Sequence, residues 1–269
     1  MNDRFDKPMF AEERKIAIVE SVVQNGSITV ADLCKRFDVS PATVRNDLRD
    51  LEIAGKLVRT HGGAMVKQRT GSETTLAVRG VVNVQAKKQI ALAAIACIED
   101  GDTLILDVST TVYELARLIV GRRRTTIVSN DLNIGLLAEE NPDSEIYLLG
   151  GRTRPGYHCT LGNAAVRELK DIAVDKAFLG TNGLDVAYGA STPDPGHGEV
   201  KKAMLAAAAK RYLLCDSSKI GIRSFFRFAE SQDIDVVITD VISQEQRDLF
   251  EEAGIEIITT AETPGVGIG

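Results

Sequence analysis

The run Ser40-Pro41-Ala42-Thr43-Val44-Arg45-Asn46-Asp47-Leu48-Arg49 leaves this chain few local choices. The Ser40 hydroxyl can accept from a free first-turn amide, and Pro41 lacks an amide hydrogen only where none is needed, so a helix starts here. Val44, Leu48 and Leu51 recur at helical spacing and face inward, which puts Thr43, Arg45, Asn46 and Arg49 near or on the outer side. Upstream, Ile16, Val19 and Val23 give one apolar stripe and Val30, Leu33 and Phe37 a second, punctuated by Asn25-Gly26 and Asp38-Val39. Three short helices are predicted. After Gly55, Lys56-Leu57-Val58-Arg59-Thr60, then His61-Gly62-Gly63, then Ala64-Met65-Val66 read as two short strands around a glycine turn. That is a wing following a helix-turn-helix.

A solvated surface helix, or a three-helix module that binds protein, would show much of the same pattern. Net charge is -6 for the whole chain, but the first 69 residues hold 12 basic and 10 acidic groups, against 20 and 28 in the remainder. The sign favours a polyanion at the amino-terminal end, while the small excess makes placement of Arg45, Arg49, Lys56 and Arg59 matter more than bulk charge. Base edges in a major groove discriminate sequence, whereas phosphate contacts favour any duplex. Arg45 and Asn46 are assigned chiefly to bases. Ser40, Thr43 and Arg49 serve bases or backbone, and Arg59 and His61 on the wing meet phosphate or the minor groove. The Asp47 carboxylate would repel phosphate, so it belongs in a structural ion pair or backbone bond within the module.

Arg14 with apolar residues after it, the spaced Ser40-x-x-Thr43-Val44-Arg45-Asn46-Asp47-Leu48, and His61-Gly62-Gly63-Ala64 resemble the DeoR family of bacterial repressors. The resemblance implies a winged helix-turn-helix that binds double-stranded operator DNA. A homodimer or homotetramer is expected, since oligomerisation duplicates a small set of contacts.

At 269 residues, 44% hydrophobic and 26% charged, the chain can hold two ordinary globular domains. No apolar run approaches membrane-spanning length, and Met1-Asn2-Asp3-Arg4-Phe5-Asp6 lacks the apolar core of a signal peptide, so a cytoplasmic protein without membrane contact is expected. Cys34, Cys97, Cys159 and Cys215 are scattered without ligand spacing and read as reduced thiols. His158, Cys159 and His197 likewise lack recognisable metal spacing. Neither metal nor cofactor is expected.

Residues 67–85 turn polar around Gly71, Ser72, Glu73, Thr74 and Thr75. The expected organisation is therefore a winged domain over 1–68, a linker over 69–85 and a second domain over 86–262. The segment from Thr75 to Gln85 is the natural element to transmit a change of domain orientation. Beyond it, a helix from Ile90 to Ile98 precedes apolar strands at 103–107, 126–130, 146–150, 177–180, 212–216 and 236–240, with helices between them. This alternation predicts an α/β fold with a mainly parallel sheet, beside the small α+β winged domain.

Several of these strands end in polar residues: Asp107-Val108-Ser109-Thr110-Thr111, Ser129-Asn130, Gly150-Gly151, Thr181-Asn182-Gly183 and Asp216-Ser217-Ser218-Lys219. Ligands of parallel sheets bind beyond the carboxyl ends of the strands, where such endings converge. Ser109, Thr110 and Thr111 before a helix suit a phosphate. Arg152, Lys201 and Lys219 add positive charge, while Asp107, Asn130, Asn182 and Asp185 suit sugar hydroxyls. Taken singly, each is more simply a helix cap, a turn residue or an exposed charge. Their joint placement carries the reading.

Asp107-x-Ser109-Thr110-Thr111, the Ser129-Asn130 strand end, Gly150-Gly151, Val200-Lys201, Asp216-Ser217-Ser218-Lys219 and Ile238-Thr239-Asp240 also resemble the DeoR family, in its effector domain. The resemblance implies a sensor of a small metabolite, commonly a phosphorylated sugar, which relieves repression of a carbohydrate catabolic operon; activation is the minority pattern. Gly151 and Glu199 join the effector-site candidates on this ground. The domain is similar to ribose-5-phosphate isomerase, with Asn182-Gly183-Leu184-Asp185 and Glu199-Val200-Lys201 near that enzyme's catalytic segments. An isomerase carrying a DNA-binding module is the main competitor, with Glu199 as base and Asp185 as acid. Asn182 cannot transfer protons, and Thr192-Pro193-Asp194-Pro195-Gly196 lacks the enzyme's glycine run, so no catalysis is expected. The two prolines and His197 also depart from ordinary family members and bear on ligand choice.

Overall fold

In the computed structural model, which describes residues 10–25, 27–60, 62–65, 76–120 and 124–260, the helix predicted after Ser40 begins there. The chain divides into two compact units, Met1–Asn83 and Val84–Gly269. In the first, α1 (Ala11–Asn25), β1 (Ser27–Thr29), α2 (Val30–Phe37) and α3 (Pro41–Ile53) precede β2 (Val58–Thr60), β3 (Gly63–Met65) and α4 (Leu76–Val81). Ser40 Oγ accepts the Thr43 N–H at 3.1 Å, with Pro41 in the first turn. Thr29 caps α2 in the same way, and Asp38 at φ 49° ends it in the left-handed region, turning the chain into α3.

Ile18, Val19 and Val22 of α1 pack with Leu33, with Val44, Leu48 and Leu51 of α3, and with Leu57, Ala64 and Val82. Ile16, expected in the inward stripe of α1, is 41% exposed, because Arg14 and Ser21 share the buried face and rotate it. Val23's side chain lies outside the description. The predicted wing is present as antiparallel β2 and β3, with Arg59 opposite Ala64, and β1 adds a third strand on the far side of β3. At Gly63 a Cβ would run into the backbone of Ile28, so this close approach requires glycine. The linker expected over 69–85 is helical from Leu76, and Val82 joins the first unit's core. Residues 66–75 lie outside the description.

The second unit contains α5 (Val84–Ile95), β4 (Thr103–Leu106), α6 (Thr110–Ile119), β5 (Thr126–Ser129), α7 (Leu132–Glu139), β6 (Glu145–Leu148), β7 (Arg152–Arg154) and β8 (Cys159–Leu161). There follow α8 (Asn163–Glu168), β9 (Val174–Gly180), β10 (Gly183–Asp185), β11 (Gly189–Thr192), α9 (Pro195–Ala206), β12 (Ala208–Leu214), β13 (Phe226–Ala229), β14 (Val236–Thr239), α10 (Gln244–Glu252) and β15 (Glu256–Thr259). The main sheet is parallel, in the order β15-β14-β12-β9-β4-β5-β6. Both faces are covered, which is why its strands read as continuous apolar runs. Leu104 and Leu106 face one core with Ile127, Phe178 and Leu214, while Ile105, Val128, Leu179 and Leu213 face the other. A small antiparallel sheet of β10, β11 and β13 and the β7-β8 hairpin flank it. No helix among the described residues is long and apolar enough to cross a membrane.

Strand order decides where the second unit can hold a ligand. From β4 the chain steps outward to β5 and β6, then returns to place β9 on the opposite side of β4. The order reverses between β4 and β9, and it is beyond the carboxyl ends of strands at such a reversal that parallel sheets bind ligands.

The first unit depends on one buried ion pair. Asp47 of α3 accepts from Arg14 of α1 through Nε at 2.6 Å and Nη2 at 3.2 Å, with side chains only 6% and 10% exposed. Its inward position matches the structural role expected for this carboxylate. Replacing Asp47 with Ala leaves a buried guanidinium without its carboxylate, at a cost of about 3 kcal/mol. Amide hydrogen exchange should then show α1 and α3 opening more readily, with α5 and the main sheet unchanged. Unaltered protection of α3 would remove this pair from the fold's essentials.

Candidate functional site

The outer face of α3 presents Arg45, Asn46 and Arg49 exposed, as their positions predict. Arg49 Nη2 donates to Asn46 Oδ1 at 3.1 Å, which fixes the two side chains as a pair. Ser40 and Thr43 hydroxyls lie 2.9 Å apart at the start of the helix, where the Ser40 oxygen also serves as cap. Arg59 is exposed on β2, with Glu52 of α3 as its ion-pair partner at 3.7 Å. His61 lies outside the described residues.

In the second unit, the carboxyl ends of β4 and β9 are joined by side chains. Lys201 of α9 donates from Nζ to Asp107 Oδ2 and, at 2.9 Å, to the Gly180 carbonyl; Asp107 Oδ2 also accepts the Gly180 N–H at 3.1 Å. The two side chains are 4% and 1% exposed. A Cβ at Gly180 would collide with Ser109, so glycine lets that hydroxyl approach. Ser109 caps α6 by accepting the Thr111 N–H at 3.3 Å; Thr111 is buried and Thr110 half-buried. On β5's end, Asn130 Nδ2 donates to the Thr160 carbonyl at 3.0 Å. Two buried acceptors here, Asp107 Oδ1 and Asn130 Oδ1, have no hydrogen-bond partner among the described residues. Buried acceptors are rarely left unmade, each at a cost of about 1–3 kcal/mol.

Other predicted residues lie differently. Asn182 follows β9, half-buried, and its Oδ1 accepts from the Thr192 hydroxyl at 3.2 Å. Lys219 sits half-buried in the turn after β12, where Asp216 caps the backbone. Asp185 accepts from Arg223 Nη2 at 2.9 Å and from the Tyr188 N–H at 2.8 Å, and the arginine holds its carboxyl below the usual carboxylate range. These contacts make it a turn and ion-pair residue. Glu199 is exposed beside Lys202, at 3.6 Å, because residues two apart on a helix point to opposite sides and Lys201 takes the buried one. Gly151 and Arg152 are exposed.

The half-buried cation of the β7-β8 hairpin is Arg154. Its guanidinium lies 3.7 Å over the Tyr157 ring, 3.4 Å from Asp194 and 3.5 Å from His197 Nε2, and His197 lies 3.3 Å from Cys159 Sγ. Arg152 and Arg154, two apart on β7, share a strand face, and what sets them apart is the long-range packing of Arg154 against Tyr157, Asp194 and His197 while Arg152 is exposed.

Family comparisons agree with both units. The DeoR-like helix-turn-helix domain matches residues 14–70, and the DeoR C terminal sensor domain matches residues 82–241. The chain belongs to the DeoR family. The HTH-type transcriptional regulator GlpR of Haloferax volcanii is 35% identical, over 93% of this chain and 98% of its own. The HTH-type transcriptional repressor GlcR of Bacillus subtilis is 33% identical over 96% and 99%. A putative aga operon transcriptional repressor of Escherichia coli O157:H7 is 31% identical over 93% and 94%. A D-ribose-5-phosphate isomerase in complex with phospho-erythronic acid is similar over 51% of this chain and 54% of its own, at 21% identity and TM-score 0.39. That likeness is too loose to carry chemistry from one protein to the other.

Asp131, absent from the sequence-derived site, stands next to Asn130 in this DeoR sensor domain and caps α7 through the Asn133 and Ile134 amides at 2.8 and 3.4 Å. An acid between a strand and an apolar helix carries the signature of a cap. Burial pushes its carboxyl up to about 6, with the Asp107 charge adding to the rise. The folded chain therefore keeps a proton that the unfolded chain has already lost, and stability falls as pH rises from the ordinary carboxylate value to about 6. Asp131→Asn keeps the capping oxygen and removes the titration. In urea denaturation it should stabilise the sensor domain by up to about 2 kcal/mol near pH ~7.5, with the difference gone below about pH 4. A pH-independent difference would contradict this assignment.

Proposed function

We propose that this protein is a transcriptional repressor of a carbohydrate catabolic operon, released from operator DNA when a phosphorylated sugar or close relative binds its sensor domain. The observation that carries the ligand reading is the pair of buried, unpartnered acceptors, Asp107 Oδ1 and Asn130 Oδ1, at the end of β4 and β5. An acceptor that the fold leaves unmade calls for a donor from outside, and sugar hydroxyls supply donors. Asp107, Asn130 and Asn182 take hydroxyls. Ser109, Thr110 and Thr111, with the first-turn amides of α6, take the phosphate. Lys219 and Arg154 add positive charge, Arg154 in place of the exposed Arg152.

Relatives named as repressors, one of them of an operon, support repression as the direction of control. α3 enters the major groove in this reading, with Arg45 and Asn46 on base edges and the wing, carrying Arg59, alongside the backbone. Ligand moves the equilibrium between DNA-competent and incompetent states only as far as its affinity for them differs. Isomerase chemistry finds little support, since Glu199 is solvent-exposed and Asp185 is held by Arg223.

A thermal-shift panel of sugar phosphates tests the sensor. A ligand at a hundredfold excess over its Kd stabilises the folded state by about 2.7 kcal/mol, and no response from any phosphosugar would count against the site. For DNA, Arg45→Ala should relax the sequence preference of duplexes enriched from a random library and cost about 1–3 kcal/mol on the wild-type selection. An unchanged preference would remove Arg45 from base readout.

A further inference from the structure

Glu52 is out of place by charge. It lies seven residues after Arg45 and three after Arg49, so all three share one stripe of α3. A carboxylate on that stripe faces the same polyanion that the arginines would meet. Both its oxygens are engaged with the wing: Oε1 accepts the Arg59 backbone N–H at 3.0 Å, and Oε2 lies 3.7 Å from Arg59 Nη1. Arg59 is the middle residue of β2, opposite Ala64 of β3. One side chain thus ties the recognition helix to the wing strand and to the wing's own cation.

We infer that Glu52 is a positioning residue for DNA recognition with two separable jobs: its Oε1 holds the wing strand against α3, and its charge restrains Arg59 from binding phosphate on any duplex. The inference rests on reading α3 and the wing as the DNA-binding surface. The two jobs act on different terms of binding. Restraint of a phosphate-binding cation lowers affinity for every sequence and flattens the salt dependence. Wing position matters only where α3 is seated on bases it fits, so loss of the tether weakens the selected site alone.

Glu52→Gln keeps the amide oxygen for the Arg59 N–H and removes the charge; Glu52→Ala removes both. The probes are a duplex enriched by the wild-type chain from a random library and a scrambled duplex of the same composition, titrated over a range of salt. Glu52→Gln should bind both duplexes more tightly, with the log-log salt slope steeper by about 0.9, the value of one phosphate contact. Glu52→Ala should match it on the scrambled duplex but bind the selected one about fivefold more weakly than Glu52→Gln, the worth of one hydrogen bond. A misfolded variant would lose both duplexes, so loss confined to the selected one reports the tether. Wild-type slope and affinity in Glu52→Gln would overturn the restraint, and equal behaviour of the two variants on the selected duplex would overturn the tether. If the wild-type chain enriches no duplex, the DNA reading itself fails and this inference with it.

Discussion

A lysine and an aspartate, both almost without exposure, hold the sensor domain together at the place where its strand order reverses. Removing two charges from water costs several kcal/mol each, which is repaid only if geometry and added hydrogen bonds are good. Lys201 meets Asp107 Oδ2 and the Gly180 carbonyl, and Oδ2 receives the Gly180 N–H as well. The pair therefore bolts β4 to β9 through α9. Yet Asp107 Oδ1 has no partner among the described residues, nor has Asn130 Oδ1 on the neighbouring strand. A fold built for stability alone would fill both, and the cost of leaving them is explained if a ligand fills them instead.

The winged unit solves a different problem with similar means. Its α3 presents Arg45, Asn46 and Arg49 outward on a core of few large side chains. Arg14 and Asp47 fix the rotation of α3 against α1 from inside, while Ser40 fixes where the helix begins. Glu52 carries the same control to the wing. With so small an excess of basic residues, the proposed DNA reading rests on where a few side chains are held, which the two ion pairs and the cap determine.

Local signals in the sequence were easy to read wherever one residue type has one physical use. Ser40-Pro41 marked a helix start, Val44, Leu48 and Leu51 its inner face, and the apolar runs a parallel sheet covered on both faces. What escaped reading depends on partners far away in the chain. β1 is three residues long beside Asn25-Gly26 and is defined only by its pairing with β3. The β10-β11-β13 sheet likewise takes its last strand from beyond α9. On α1, buried Arg14 and Ser21 broke the apolar pattern and hid the exposure of Ile16. Within the candidate site, Asp107, Ser109, Thr111, Asn130 and Lys201 were legible because strand ends and helix starts gather them. Glu199 was not separable from Lys201 by residue type, since a step of two on a helix exchanges a buried face for an exposed one, and Arg152 shares a strand face with Arg154, which is set apart by contacts with Asp194 and His197 far along the chain.

In the proposed reading, Asp107 Oδ1 and Asn130 Oδ1 are the acceptors that a ligand completes. The most direct test is a crystal structure of the chain with the sugar phosphate that stabilises it most. Ligand hydroxyls are expected within hydrogen-bond distance of both Asp107 Oδ1 and Asn130 Oδ1, with the phosphate at the first turn of α6. A ligand seated elsewhere, with both acceptors still unpaired, would contradict this reading.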